Sequence, residues 1–381
     1  MLMIARTMLS VLLDKSKGYP VISITGPRQS GKTTLIKSLF SGHFYSNLES
    51  PDTRQYASTD PRSFLDQAPH MIIDEVQRVP ELLSYIQGLV DEDKNRSFVI
   101  LGSQNLLISE KISQSLAGRV FVANLYPLSL EELREEKLLS GNLVEQLFKG
   151  FYPRIYSESL DPSVWYENYI QTYLERDVRS IKAVSDLMMF QKFMGLLAGR
   201  TGQLLNLTSL ANDTGVSVPT VKSWISVLEA SFIIKLLQPY HSSWNKRLMK
   251  SPKMHFLDTG LVCALLKINR SIDLAHHPLI GSIFESFVFS EFLKKNANFE
   301  LNTNMYYWKD KTGREVDLLL ESGNYTEAIE VKFGQTISAD YFSNLKQYMK
   351  ISQSKIKGTV IYGGKETQKR EGFSVKSWTD I

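Results

Sequence analysis

Val21-Ile22-Ser23-Ile24-Thr25-Gly26-Pro27-Arg28-Gln29-Ser30-Gly31-Lys32-Thr33-Thr34 decides the fold of the first third of this chain. Val21–Ile24 reads as a short buried strand and Leu35–Phe40 as a helix, so a glycine-bounded turn joins a strand to a helix. The spacing G-x-x-x-x-G-K-[ST] wraps the loop Gly26, Pro27, Arg28, Gln29, Ser30 and Gly31 around a phosphate at a helix N-terminus, where the backbone N–H groups, which every loop residue but Pro27 carries, and the peptide dipoles favour negative charge. Lys32 then reaches the β- and γ-phosphates, the Thr33 hydroxyl ligates Mg²⁺, and Thr34 completes the loop.

Outward from this loop the pattern repeats. Met71-Ile72-Ile73, Phe98–Leu101 and Val120–Leu125 are compact apolar runs separated by helical stretches. Such β-α-β alternation predicts an α/β fold with a parallel sheet covered by helices on both faces. Met71–Ile73 ends in Asp74-Glu75, which predicts Asp74 on the Mg²⁺ and Glu75 as general base for an attacking water. Phe98–Leu101 ends in Gly102-Ser103-Gln104-Asn105, where Ser103, with Gln104 and Asn105 as alternatives, is placed to sense the γ-phosphate. Gly118-Arg119 follows a helix expected over Ser109–Ala117. Arg119 suits a finger reaching a neighbouring subunit's phosphate in trans, or a cation stabilising that helix C-terminus.

The whole chain, 381 residues with 43% apolar and 22% charged, is long enough for two or three cored domains and excludes collagen-like and disordered classes. A single cysteine, Cys263, rules out an intrachain disulfide, and no apolar run reaches the ~20 residues of a membrane helix. The expectation is a soluble protein of a reducing cytoplasm. The net charge of +4 identifies no partner, so any nucleic-acid reading depends on where the charge sits.

From Glu131 to Gly199 the pattern is helical, with Trp165, Tyr169, Ile170, Tyr173 and Leu174 on one core face. Leu207–Ala211, a break at Asn212–Val216, then Val218–Ala230 capped by Ser217 read as helix-turn-helix, with Phe232–Leu237 starting a wing. The exposed face of the second helix carries only Lys222. Lys235, Lys246, Arg247, Lys250 and Lys253 follow without an intervening acid, among Tyr240, His241 and Trp244, a composition suited to a nucleic-acid backbone and to stacking on bases. A protein-protein module or a solvated loop is the alternative. Farther on, Arg314–Leu320 and Ala328–Lys332 predict a hairpin that brings Asp317 beside Glu330, with Lys332 on the face of Glu330 and Glu285 on a preceding helix. Two carboxylates and a lysine so placed can hold Mg²⁺ and activate water against a phosphodiester. A charged strand pair that no longer cuts is the alternative.

These blocks carry a resemblance. Gly26–Thr34, Asp74-Glu75-Val76-Gln77-Arg78-Val79-Pro80, Ser115–Arg119 and Pro127-Leu128-Ser129 resemble AAA+-type P-loop ATPases. More narrowly, with Tyr173–Val178, they resemble the bacterial and archaeal group that carries a C-terminal winged helix and a nuclease-like domain. The chain departs from that group at Gly150-Phe151-Tyr152-Pro153, where a Gly-Gly pair is usual. Glu285, Asp317, Glu330 and Lys332 resemble the PD-(D/E)xK nucleases, a superfamily that includes restriction endonucleases and junction resolvases. The resemblance implies an ATPase core over 1–150, a helical lid or linker over 151–203, a winged helix-turn-helix with basic connector over 204–253, and a restriction-endonuclease-like α/β domain over 254–381. It also implies ATP and Mg²⁺ as cofactors, DNA, branched DNA included, as partner, and a homo-oligomer through Arg119. The alternatives are an ATP-dependent nuclease or defence effector, and an ATP-driven protein-interaction switch.

Overall fold

Strands β1 (Val21–Thr25), β2 (Phe44–Asn47), β3 (His70–Asp74), β4 (Ser97–Gly102) and β5 (Val120–Asn124) form one parallel sheet in the order β2-β3-β4-β1-β5. The computed structural model describes residues 4–102, 115–173, 186–240, 251–323, 325–352 and 356–381. Side chains alternate across this sheet as the strand period requires. Val21, Met71, Ile73, Phe98 and Ile100 pack with Phe64, Leu82 and Ile86 on one face. Ile22, Ile24, Ile72, Val99 and Leu101 pack with Met8, Leu12, Leu35 and Ile36 on the other. Each such burial contributes roughly 1.5–3 kcal/mol, so the sheet is fixed by the same apolar runs that announce it. Because all five strands run parallel, the loop after β1 and the acids after β3 emerge at one edge.

Short helices follow: Leu130–Glu135, Leu143–Lys149, Pro153–Ser157, Pro162–Tyr173 and Leu187–Ala198. Trp165, Tyr169 and Ile170 are buried, as the helical spacing predicts, with the Trp165 and Tyr169 rings stacked at 5.1 Å. Leu207–Thr214 ends at Gly215, and Ser217 accepts the Thr220 N–H at 3.3 Å to start Val218–Ala230. Val221, Trp224, Ile225 and Leu228 face inward. The two helices pack against each other across the Gly215 turn.

The second sheet crosses the boundary expected at 253/254. It comprises β6 (Gln203–Leu204), β7 (Ile234–Pro239), β8 (Lys253–Phe256), β9 (Asn304–Lys309), β10 (Glu315–Ser322), β11 (Tyr325–Lys332), β12 (Ile356–Tyr362), β13 (Gln368–Arg370) and β14 (Phe373–Ser377). Its order is β13-β14-β12-β11-β10-β9-β7-β8-β6. The cause is local: β7 runs two residues past its pairing with β8, and Gln238 and Pro239 pair with Tyr306 and Tyr307 of β9. The long helix Ile280–Phe299 packs on both β8 and β11. No helix among the described residues is long and apolar enough to cross a membrane.

Candidate functional site

The loop after β1 closes tightly on the sheet. A Cβ at Gly26 would run into the Leu125 carbonyl oxygen, so only glycine fits there. Lys32 opens the next helix, is 8% exposed, and its ammonium donates to the carbonyls of Gly26 at 2.9 Å and Pro27 at 2.7 Å. The Thr33 hydroxyl donates to Asp74 Oδ2 at 2.8 Å, and Asp74 Oδ1 accepts the Glu75 N–H at 3.0 Å. Glu75 has φ of +58°, a left-handed conformation that costs a non-glycine residue about 1 kcal/mol or more. That turn lets its carboxylate line the cavity, where the Gln77 amide donates to it.

Two contributors escape the sequence reading. Tyr45 donates to Asp74 Oδ2 at 2.9 Å from β2, an edge strand too short of apolar residues to be recognised. Burial first and the Asp74 charge second push the Tyr45 phenol well above its ordinary value, so it stays a neutral donor. Arg6 donates to Ser30 O at 2.7 Å, Tyr126 O at 2.7 Å and Glu132 Oε1 at 3.0 Å, all buried. It is the only charge before Asp14, and a lone arginine in an amphipathic stretch was the available signal. Glu132 also completes a capping box with Ser129.

These groups bound a cavity of about 950 Å³, within the range of small-molecule sites. Lys32, Thr33, Asp74 and Glu75 supply its polar end, and Ile4, Leu9, Leu128 and Pro153 an apolar wall.

The comparisons agree with this geometry. Residues 18–134 match the model described as AAA domain, 140–271 a domain of unknown function (DUF8612), and 280–381 another (DUF4143). An uncharacterized protein of Mycobacterium tuberculosis is 30% identical over 327 residues, 84% of this chain and 71% of that protein. The chain belongs to its family. An uncharacterized protein of Methanocaldococcus jannaschii is 24% identical over 350 residues, 81% of this chain and 73% of its own length. The solved Walker-type ATPase of Pyrococcus abyssi is 14% identical with a TM-score of 0.47, covering 69% of this chain and 96% of that one. The match over residues 18–134 makes the N-terminal part an AAA-type P-loop domain.

Elsewhere in the AAA domain, Arg119 forms a two-pronged ion pair with Asp91, at 2.7 and 2.8 Å, and donates to Ala117 O at 3.0 Å. Arg119 is not among the residues lining the cavity, and residues 109–114 of the helix expected before it lie outside the described residues. Ser103, Gln104 and Asn105 lie outside the described residues. At the point where the chain departs from the family pattern, Gly150 has φ of +66°, and a Cβ would meet the Tyr166 hydroxyl. Asp258 ties this turn down, accepting from Phe151 N at 2.8 Å and Tyr166 OH at 2.6 Å.

Of the bases expected on the connector, the two that lie among the described residues, Lys235 and Lys253, are paired with acids. Lys222 is exposed, but Lys235 pairs with Glu229 at 2.9 Å, and Lys246, Arg247 and Lys250 lie outside the described residues. Lys253 is the clear correction. It is 3% exposed and faces acids that come later in the chain, so it is not available to a phosphate backbone.

Two of those acids, Glu285 and Asp317, belong to the carboxylate group singled out from the sequence. Glu285, Glu315 and Asp317 bring carboxylate oxygens within 4.8 Å of one another. Asp317 sits where β10 shifts register against β9 between Val316 and Leu319, and its Oδ2 accepts the Val331 N–H at 2.8 Å. Glu315, two residues earlier on the same strand face, takes the third place in the trio, and Glu330 does not. Glu330 is 2% exposed; its Oε1 meets Lys332 at 2.8 Å and Asn344 at 3.1 Å, while Oε2 has no hydrogen-bond partner. Burial first and Asp317 second raise Glu285 to about 8 and Glu330 to about 7. Burial alone would lower Lys253, but Glu285, Asp317 and Glu315 outweigh it and hold the ammonium charged. His255, fully buried, is kept neutral by burial and by Lys253; its Nδ1 meets Ser286 Oγ at 3.0 Å.

Proposed function

We propose that this protein binds and hydrolyses ATP in the AAA domain cavity and that its nucleotide cycle governs a DNA-engaging C-terminal half. The observation that carries the first part is the Thr33–Asp74 hydrogen bond beside the left-handed Glu75, at the polar end of a cavity of nucleotide size. Lys32 exchanges the Gly26 and Pro27 carbonyls for β- and γ-phosphate oxygens. Thr33 and Asp74 are the residues that hold Mg²⁺, which when bound neutralises charge on the transferred phosphoryl group. Glu75, fixed by Gln77, orients the attacking water and takes its proton. Ile4, Leu9, Leu128 and Pro153 give the base an apolar wall. Arg6 keeps Ser30 and hence the phosphate loop in place.

For the C-terminal half we read residues 204–253 as a winged helix-turn-helix with its basic connector and 254–381, with the β10–β11 hairpin and its helix, as a nuclease-like fold. Support for DNA is the helix-turn-helix layout with Thr220 and Lys222 at the outward face, together with the resemblance to junction-handling folds. A protein partner is the second reading, favoured by the neutralisation of Lys235 and the burial of Lys253. ATP turnover measured with no DNA, duplex, single strand and four-way junction tests this. Stimulation by one DNA form, with a salt-sensitive mobility shift, is expected. Flat turnover and no shift at low salt overturn the DNA part and leave the protein switch. Arg119 acts in trans only if it leaves Asp91; a strictly monomeric active enzyme excludes that role.

A further inference from the structure

A PD-(D/E)xK-type reading of the C-terminal acids implies a divalent metal, and the residues present do not fit one. The Lys253 ammonium stands 2.6 Å from Glu285 Oε1, pairs with Glu315, and lies 3.7 Å from Asp317 Oδ1. Every carboxylate of the trio therefore already faces the same cation. A Mg²⁺ ion needs those oxygens at about 2.0–2.1 Å with near-octahedral geometry, which an ammonium among them prevents. The lysine is also held by its backbone. It opens β8, pairing with Leu237 of β7 and Leu204 of β6, so the cation arrives from inside the sheet rather than from a surface loop.

The surroundings are tuned to this cation. Lys309 pairs with the other oxygen of Glu315 at 2.7 Å, and Lys332 with Glu330 at 2.8 Å, which brings three ammonium groups to four acids. His255 Nε2, buried and without a hydrogen-bond partner, stands 4.0 Å from Glu285 Oε1 and adds an uncharged wall. Among the described residues the trio of acids thus already holds an internal cation.

We propose that Lys253 is the resident cation of the Glu285–Glu315–Asp317 cluster and closes it to divalent metal, so that these residues as folded form no metal-dependent cleavage site. This goes beyond the ATPase reading and does not depend on it.

The test is Mn²⁺ binding to the full-length protein without nucleotide, followed by titration calorimetry and by the electron paramagnetic resonance signal of free Mn²⁺. Wild type and Asp317→Asn are expected to give the same isotherm, since no Mn²⁺ sits on Asp317. Lys253→Met is expected to gain one site at least 10-fold tighter than any in wild type, lost again when Asp317→Asn is added. A wild-type site that disappears in Asp317→Asn overturns the proposal. So does a Lys253→Met protein with native circular dichroism that gains no site. Should Lys253→Met fail to fold, the wild-type against Asp317→Asn comparison decides alone.

Discussion

Two places in this molecule gather carboxylates beside a lysine, and they have opposite fates. At the end of β3, Asp74 is satisfied by neutral donors, Thr33 and Tyr45, and the Lys32 ammonium hydrogen-bonds the Gly26 and Pro27 carbonyls. The acids there open onto a cavity. On β10 and the long helix, Glu285, Glu315 and Asp317 converge on the Lys253 ammonium itself. The residue types are nearly the same. What differs is the tether: Lys32 sits at the first turn of a helix whose preceding loop offers carbonyls, whereas Lys253 is delivered by an interior strand. A held cation excludes a metal, and hydroxyl groups do not.

The largest way to break this comparison is at the open site. Lys32→Ala should lower ATP turnover by about 10³-fold, measured as phosphate release, because it removes a charge aimed at the transferring phosphoryl group. Wild-type turnover in that variant would mean the cavity over β1 is not the hydrolytic site. Glu75→Gln should lower turnover by about 100-fold while nucleotide binding, read with a fluorescent ATP analogue, stays within a factor of a few. Loss of binding instead would make Glu75 a structural residue of the loop.

The contrast also explains what the sequence could disclose. The strands β1, β3 and β4 are legible because each is a compact, mostly apolar run, and Asp74 ends β3 with Glu75 directly after it. Strand β2 is not, since Phe44-Tyr45-Ser46-Asn47 lies at the sheet edge with mixed exposure. The carboxylate cluster is assembled by register, a bulge and a helix crossing, none of which has a local signal. Glu315 was within reach, as it shares a strand face with Asp317 by simple alternation. Lys253 was not: counted within its own stretch it is an unopposed base, and its three acids are contributed by later elements. The sheet that crosses the expected boundary at 253/254 has no local signal for the same reason, since the β7–β9 pairing joins residues far apart in the chain.

A smaller effect concerns the region that joins the two sites. The segment Leu128–Glu132 is held from one side by Arg6 on Glu132, and from the other by the long helix, where Glu291 accepts from Leu130 N at 2.8 Å and Lys294 donates to Leu128 O at 2.8 Å. The same helix carries Glu285, so a contiguous chain of contacts runs from the phosphate loop to the closed cluster. Contiguity alone is not coupling. Arg6→Ala should cost about 3–5 kcal/mol in chemical denaturation, since it strands Glu132 as a buried charge. Arg6→Lys should recover part of that but leave KM for ATP raised, because an ammonium cannot span three acceptors in fork geometry. An unchanged KM in a folded Arg6→Lys protein would limit Arg6 to holding the segment.

The smallest effect is a slope. Closing the pocket buries acids, and Glu285 and Glu330 have folded-state pKa values raised to about 8 and about 7. Between the ordinary glutamate value near 4.5 and those raised values, the folded protein keeps protons that the unfolded chain has released. Stability contributed by these groups is therefore present at low pH and lost as pH rises through 7 to 8. Glu330→Gln removes one titration from this window while keeping the side-chain volume. The variant should show a flatter Tm against pH profile than wild type between pH 5 and 8, whatever its absolute Tm after losing the Lys332 pair. His255 acts with the opposite sign, since a buried neutral imidazole loses stability below its ordinary value near 6.5. That contribution is common to both proteins and cancels in the difference of slopes. Parallel profiles would mean that Lys332 and Asn344 already hold Glu330 ionised, and that the second site is closed without burying a protonated acid.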